Sequence, residues 1–312
     1  MIYMELGGRL GNQLFRYAFT RALIYERNVC DELIVGVTSY ISRDSKQGFV
    51  NNLNNLKTMH FGQVEKSIFY FYPFVLRLLY RIICQIPKIL KYDDATFEHK
   101  FWKVFNHMGI LTAHYDNYNF KISKLPTLFV DGDFQNYEYF DHIKPILQKE
   151  FQPKHLPLVS NDALYQVIEH SNSVCVHIRR GDYLSEEYRQ NFYVCDEDYY
   201  NKAIKVILQK VENPHIIFFS NDIAWVKANI HVNAPCYYEP SDNPLWESFR
   251  MMYSCKHFVI SNSTLSWWCQ YLSPNTAKVV VSPDHWFNNK MMDAQVKLLM
   301  PSFITIKCPY HD

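Results

Sequence analysis

Apolar residues in the second half of the chain fall into short uninterrupted runs, separated by stretches in which they recur every three or four positions. Val174-Cys175-Val176-His177-Ile178 is the first run. Helical spacing follows over about 198–210, then "HIIFFS" (215–220), a short helix at 223–229 and a strand at 235–238. A helix at 245–254, "HFVIS" (257–261), a helix at 264–271 and "KVVVS" (278–282) complete the series. Runs that are apolar on both faces and alternate with helices predict a parallel sheet covered on both sides. The first half opens in the same way, with a strand at 2–6, a glycine-containing turn and a helix over about 12–27. Residues 50–110 read mostly as a helical insertion, and 127–131 as a buried strand. "FQPKHLPL" (151–158), with two prolines and no periodicity, is the expected linker. The chain therefore divides into an N-terminal α/β domain at 1–155 and a C-terminal Rossmann-like domain at 156–312.

Composition narrows this picture. With 48% hydrophobic and 20% charged residues, the chain suits a globular protein with a sizeable core. Its 32 basic and 31 acidic side chains leave a net charge of +1, which removes the general argument for a nucleic-acid partner. The 23 Tyr and 22 Phe serve either as sugar-stacking faces or as ordinary core. Eight cysteines show no C-x-x-C pair and read as reduced core thiols. The N-terminus lacks the basic and long apolar regions of a signal peptide, so a cytoplasmic location is expected. One segment, 67–92, is strongly apolar, yet Pro73, Arg77, Arg81 and Pro87 interrupt it. A spanning helix needs about 20 mostly apolar residues, so the segment is read as a buried helix or as a peripheral membrane contact.

Ligands of a parallel sheet sit at the carboxyl ends of its strands, and polar clusters occur there. His177-Ile178-Arg179-Arg180-Gly181-Asp182 follows the first strand of the second half. Ser220-Asn221-Asp222 follows the next, and Ser261-Asn262-Ser263-Thr264 opens a helix after the fourth. A guanidinium grips phosphate through two parallel hydrogen bonds, and a helix start favours an anion. Asp222 suits a base or ribose. Each residue alone also has a plain structural reading: Ser263 and Asp222 as helix caps, Arg180 as a partner of Asp182. Together, at successive strand ends, they point to a nucleoside diphosphate. No P-loop occurs, and the glycines of "GGRLGN" do not form G-x-G-x-x-G. Asp131 and Asp133 in "FVDGDF" read either as a divalent-metal clasp or as a turn around Gly132.

"GGRLGNQLFRYAF" (7–19), "VHIRRGDY" (176–183), "FSNDIAWVK" (219–227) and "ISNSTLSWWCQYL" (260–272) together resemble glycosyltransferase family 11, the bacterial α-1,2-fucosyltransferases. "DGDFQNYEYF" (131–140) and "SPDHW" (282–286) extend the likeness across nearly the whole chain. The resemblance implies a GT-B fold of two Rossmann-like domains facing a cleft. It further implies inverting, metal-independent transfer of L-fucose from GDP-β-L-fucose to the 2-hydroxyl of a terminal β-galactose. Asp131 and Asp133 then become structural or acceptor-side residues, with no metal and no cofactor beyond the donor substrate.

Carried over by position, Arg179 is expected on the β-phosphate with Arg180 in support. His177, Asn221 and Asp222 are expected near the nucleoside, and Ser263 and Thr264 at the phosphate. Gly8, Gly11, Asn12 and Gln13 are expected on the acceptor side. Arg16 departs from the usual glutamine before Tyr17-Ala18. Arg179 would stabilise charge on the departing GDP. The base that takes the acceptor proton is Asp182 or, next, Glu187. Another GDP-sugar donor, or a non-catalytic sugar-binding relative, remains the other reading.

Overall fold

The structure is a computed structural model. It describes residues 1–28, 30–37, 50–114, 116–120 and 125–310, and only the backbone of Pro87, Lys88, Asp182, Glu186 and Glu187. The chain forms two compact units. Unit 1 holds Met1–Asn54, Thr58–Glu150 and Gln295–Lys297, and unit 2 holds Asn55–Lys57, Phe151–Ala294 and Leu298–Asp312.

In unit 1 the elements run β1 (Ile2–Glu5), α1 (Leu10–Arg27), β2 (Leu33–Gly36) and β3 (Gly62–Val64). They continue with α2 (Phe74–Ile83), α3 (Ile86–Leu90), α4 (Asp94–His107), β4 (Ile110–Ala113), β5 (Leu128–Gly132) and α5 (Lys144–Glu150). The sheet is parallel in the order β3-β2-β1-β5-β4, with Ile2 level with Leu33 on one side and Leu128 on the other. β1 is a central strand of a parallel sheet covered on both faces; Ile2 and Met4 are buried and Tyr3 half-buried, which is why Ile2-Tyr3-Met4 reads as a run rather than an alternation. Tyr3 stacks between Phe71 and Phe129, with ring centroids 5.0 and 5.2 Å away. The α1 helix ends at Asn28, whose left-handed backbone (φ 50°) is a common way to stop a helix.

The stretch 50–110 is mostly helical, as expected, and β3 adds a short edge strand within it. One expectation needs correction. Residues 67–92 are not a buried helix: no residue of α2 is fully buried. Its inner side, Leu76, Tyr80 and Ile83, packs on Tyr72, Phe105 and Phe129. Its outer side, also apolar, is exposed. No helix among the described residues is long and apolar enough to cross a membrane.

Unit 2 runs α6 (Asp162–His170), β6 (Asn172–Ile178), α7 (Glu186–Phe192), α8 (Glu197–Lys210), β7 (Pro214–Ser220) and α9 (Ile223–Asn229). It continues with β8 (Cys236–Tyr238), α10 (Leu245–Ser254), β9 (His257–Val259), α11 (Thr264–Leu272), β10 (Val280–Pro283), α12 (Lys290–Asp293) and β11 (Ile304–Ile306). The parallel sheet has the order β11-β10-β9-β6-β7-β8. Counted from β6 as the first strand, this is the doubly wound nucleotide-binding order, and it reverses between β6 and β9. Val174, Val176 and Ile178 of β6 pack with Tyr199, Ala203, Ile204 and Ile207 of α8. Each Val or Ile buried there stabilises by about 1.5–3 kcal/mol, whereas the exposed Asp198–Lys202 pair on the other face of α8 is screened by solvent. The buried face is what holds the helix.

The expected linker is part of unit 2. Phe151 is buried with its ring edge-on to Trp268 at 5.2 Å. The Leu158 N–H donates to Oε1 of buried Glu247 (2.9 Å), whose Oε2 accepts from Arg250 (2.9 Å). Arg250 in turn donates to the His155 carbonyl. These bonds satisfy the backbone of a proline-rich stretch that has no ladder of its own. The units part between Glu150 and Phe151 rather than at 155/156.

Candidate active site

The chain leaves β6 at Ile178 and turns at once. Arg179 and Arg180 are half-buried, and Gly181 (φ +29°) opens a tight turn over Gly181–Leu184. A Cβ on Gly181 would lie 2.0 Å from Nδ2 of Asn221, so only glycine fits. The Arg180 N–H donates to Oδ1 of the same Asn221 (3.1 Å). The loops that follow β6 and β7 are therefore locked together by one amide side chain.

Asp222 secures the second arginine. Its Oδ1 accepts from the Trp225 N–H (3.1 Å), capping α9, and its Oδ2 accepts from Nε of Arg180 (3.2 Å). The Arg180 guanidinium lies over the Trp225 ring at 3.8 Å. Asp222 is thus the helix cap that its residue type suggested, and it also pairs with Arg180, for which the sequence had offered Asp182. The Arg179 guanidinium carbon lies 5.5 Å from the Tyr183 ring, and the Tyr183 hydroxyl donates to the Asn262 carbonyl (3.3 Å).

On the other side of the switch point, β9 leads through Ser261-Asn262-Ser263 into α11. Asn262 donates to the carbonyls of Phe192 (2.8 Å) and Trp286 (2.9 Å), fixing the loop from below. Ser263 stands at the N-cap position with an extended backbone (φ −117°), but its hydroxyl makes no capping bond. First-turn N–H groups, beginning at Thr264, have no acceptor within their own helix. His177 is buried, with Nδ1 hydrogen-bonded to Ser266 and to Ser261 (3.2 Å). Burial, with the Arg179 charge nearby, lowers its pKa to about 3. The imidazole is neutral near pH 7, so the two arginines, not the histidine, carry the positive charge at this edge.

Asp182 sits in the turn after Gly181 and Glu187 in the first turn of α7. Their side chains lie outside the described residues. Glu239, which sequence reasoning passed over, follows β8 on the same sheet edge; burial pushes its carboxyl up to about 7. Its Oε1 has no hydrogen-bond partner. A lone glutamate after "CYY" carries no motif that would have singled it out. Trp225 was likewise missed, because its role depends on a cross-loop contact.

The acceptor-side residues occupy the start of α1 in unit 1. Gly8 has φ +69°, and a Cβ there would meet the Asn12 side chain at 2.6 Å. Gly11 is buried in the first helical turn, and Asn12 is half-buried. Gln13 is fully buried: it donates to the carbonyls of Gly8 and Val50 (both 2.9 Å) and accepts from the Asn52 N–H (3.0 Å). It braces the turn.

Arg16 proves more informative. Buried itself, it donates to the Glu5 carbonyl (3.0 Å), Asp131 (3.2 Å) and Asp133 (3.0 Å). A guanidinium occupies the point on which both carboxylates converge. Nε2 of His114 lies 3.7 Å from Asp131. This group collects at the carboxyl ends of β1, β4 and β5, where the order of the first sheet also reverses.

The profile of glycosyl transferase family 11 matches residues 1–300. The chain is 31% identical to the O-antigen biosynthesis glycosyltransferase WbnK of Escherichia coli, over 98% of this chain and all of that one. It is 28% identical to the alpha-1,2-colitosyltransferase of the same species, over 94% of this chain and 95% of that one. Its fold is similar to that of the NodZ alpha-1,6-fucosyltransferase from Bradyrhizobium co-crystallised with GDP. The TM-score is 0.55 at 12% identity, covering 91% of this chain and 94% of that one. Two Rossmann-like units with these motifs at their strand ends, and a family match spanning both, lead to one assignment: the chain belongs to glycosyl transferase family 11, with the unit make-up of a GT-B glycosyltransferase.

Proposed function

We propose that the protein transfers L-fucose from GDP-β-L-fucose to the 2-hydroxyl of a terminal β-galactose, with inversion and without a metal. The observation that carries this reading is the convergence of Arg179, Arg180 and the start of α11 at the switch point of the second sheet. Donor pyrophosphate placed there meets two guanidinium groups and a helix N-terminus. As the bond from C1 of the sugar to the β-phosphate oxygen breaks, negative charge grows on GDP. Arg179 and the first-turn N–H groups of α11 stabilise that charge. The galactose oxygen bonds to C1 from the opposite face, and its proton passes to Asp182 or Glu187. The Arg16 guanidinium between Asp131 and Asp133 supports assigning those carboxylates to the acceptor side rather than to a cation.

The full-length similarity to a colitosyltransferase favours a second reading, in which the donor is GDP-colitose. Colitose is fucose without its 3-hydroxyl, so the two donors share every contact at the diphosphate. The test is incubation with GDP-fucose, GDP-colitose, GDP-mannose and UDP-galactose over terminal β-galactosides, with and without EDTA. Products are read by mass spectrometry and the linkage by NMR. Fucose on the galactose 2-hydroxyl, undiminished by EDTA, is the expected result. Transfer from GDP-colitose alone selects the second reading, and loss of activity in EDTA overturns metal independence. GDP binding with no transfer from any donor makes the chain a sugar-nucleotide-binding relative.

A further inference from the structure

The α2 helix is apolar on both sides, a pattern that belongs inside a protein or a membrane, and only one side is covered. Phe74 and Val75 are 79% and 67% exposed, Leu78, Leu79 and Ile82 lie on the same outer side, and Ile89 of α3 is 75% exposed. At 10 residues α2 is half the length a bilayer span requires. It can lie in an interface but cannot cross one.

Charge identifies what covers it. Residues 67–92 contain Arg77, Arg81, Lys88 and Lys91 and no acidic residue, in a chain whose net charge is only +1. Arg77 is tied at the root of the helix, donating to the Tyr72 carbonyl at 3.1 Å. Arg81 is exposed, its guanidinium carbon 5.5 Å from the Phe69 ring, and a long cationic side chain there can reach sideways to phosphate while the apolar side chains insert. A second copy of the same face is the poorer occupant, since symmetric pairing would set these cations against themselves.

We propose that residues 74–91 are an in-plane anchor for an anionic phospholipid surface. The outer side chains of α2 and Ile89 enter the acyl boundary, with Arg81 and Lys91 at the level of the phosphates. The anchor is independent of the donor sugar.

The test is flotation of the full chain with phosphatidylglycerol/phosphatidylcholine vesicles and with phosphatidylcholine alone. The protein is expected to float with the anionic vesicles. Binding should fall about tenfold or more on neutral vesicles and in a Leu78→Glu/Ile82→Glu variant whose thermal unfolding is unchanged. Should that variant fail to fold, Arg81→Glu/Lys91→Glu is expected to remain folded and lose the preference for anionic lipid. Absence of flotation on both vesicle types, or variants that float like the wild type, overturns the proposal. So does a concentration-dependent dimer, abolished by Leu78→Glu/Ile82→Glu, in a protein that binds no vesicle.

Discussion

The guanidinium carbon of Arg180 lies 3.8 Å from the centroid of the Trp225 ring. With Nε given to Asp222 at 3.2 Å, the side chain is held from two directions before any ligand arrives. Arg179, one position earlier, has its guanidinium carbon 5.5 Å from the Tyr183 ring. The two arginines thus have different surroundings on one loop.

That difference separates their variants. Trp225→Leu removes the stacking partner, worth about 0.5–2 kcal/mol. It is expected to raise the donor KM several-fold with kcat retained. With Arg179 in the role proposed for it on the departing GDP, Arg179→Ala is expected to lower kcat about 100- to 1,000-fold. Steady-state kinetics of the two variants, with circular dichroism to confirm folding, make the comparison. Equal effects on kcat would contradict the division of roles.

The base is separable by pH. Asp182→Asn and Glu187→Gln should both retain GDP binding, measured by calorimetry. Only loss of the true base removes the acidic limb of the pH–rate profile. The variant that keeps the wild-type limb is excused from proton transfer.

His177 makes stability depend on pH. Its folded pKa of about 3 lies below the value of 6.5 for an unfolded chain. Above pH 6.5 both states are neutral and the residue adds no dependence. As pH falls below that, the unfolded chain takes up a proton that the folded protein refuses, costing up to about 1.4 kcal/mol per pH unit. Stability held fully above the unfolded pKa is therefore lost as pH falls toward 3. Urea unfolding at pH 7, 6 and 5 should show the gap between wild type and His177→Gln closing with acidity.

The pair on α10 is buried. Glu247 is completely buried, and Arg250→Met would leave its carboxylate without a cation and the His155 carbonyl without its donor. The expected loss is about 3–5 kcal/mol in chemical denaturation. Glu247→Gln keeps an oxygen for the Leu158 N–H and should cost less.

Much of the second sheet was legible because its strands are buried on both faces and its helices carry their own start signals. Asp222 before α9 and Pro244 before α10 mark helix starts that the structure places at the expected residues. The short edge strands were not: Gly62-Gln63-Val64 has one apolar side chain and no period to read. Residues 67–92 misled for the opposite reason. A helix with apolar residues on two sides and only Arg77 and Arg81 between them looks like core, and only tertiary packing decides which side is covered. In the site, strand-end chemistry could be read from residue order. The fit of Gly181 against Asn221 and of Arg180 against Trp225 joins loops some 40 positions apart and leaves no local trace.

Near its end the chain returns three residues to unit 1. Nζ of Lys297 pairs with Glu138 at 2.6 Å, and the Gln295 carbonyl accepts from Asn117 at 2.9 Å. In exchange, Asn55–Lys57 joins unit 2, where the Lys57 N–H donates to the Gln152 carbonyl at 2.8 Å. On a ribosome, unit 1 receives its last three residues only after almost the whole message has been read, and a gene cut after the codon for Glu150 encodes neither unit intact. Anyone wishing to exchange one half between relatives must move these two stitches with it.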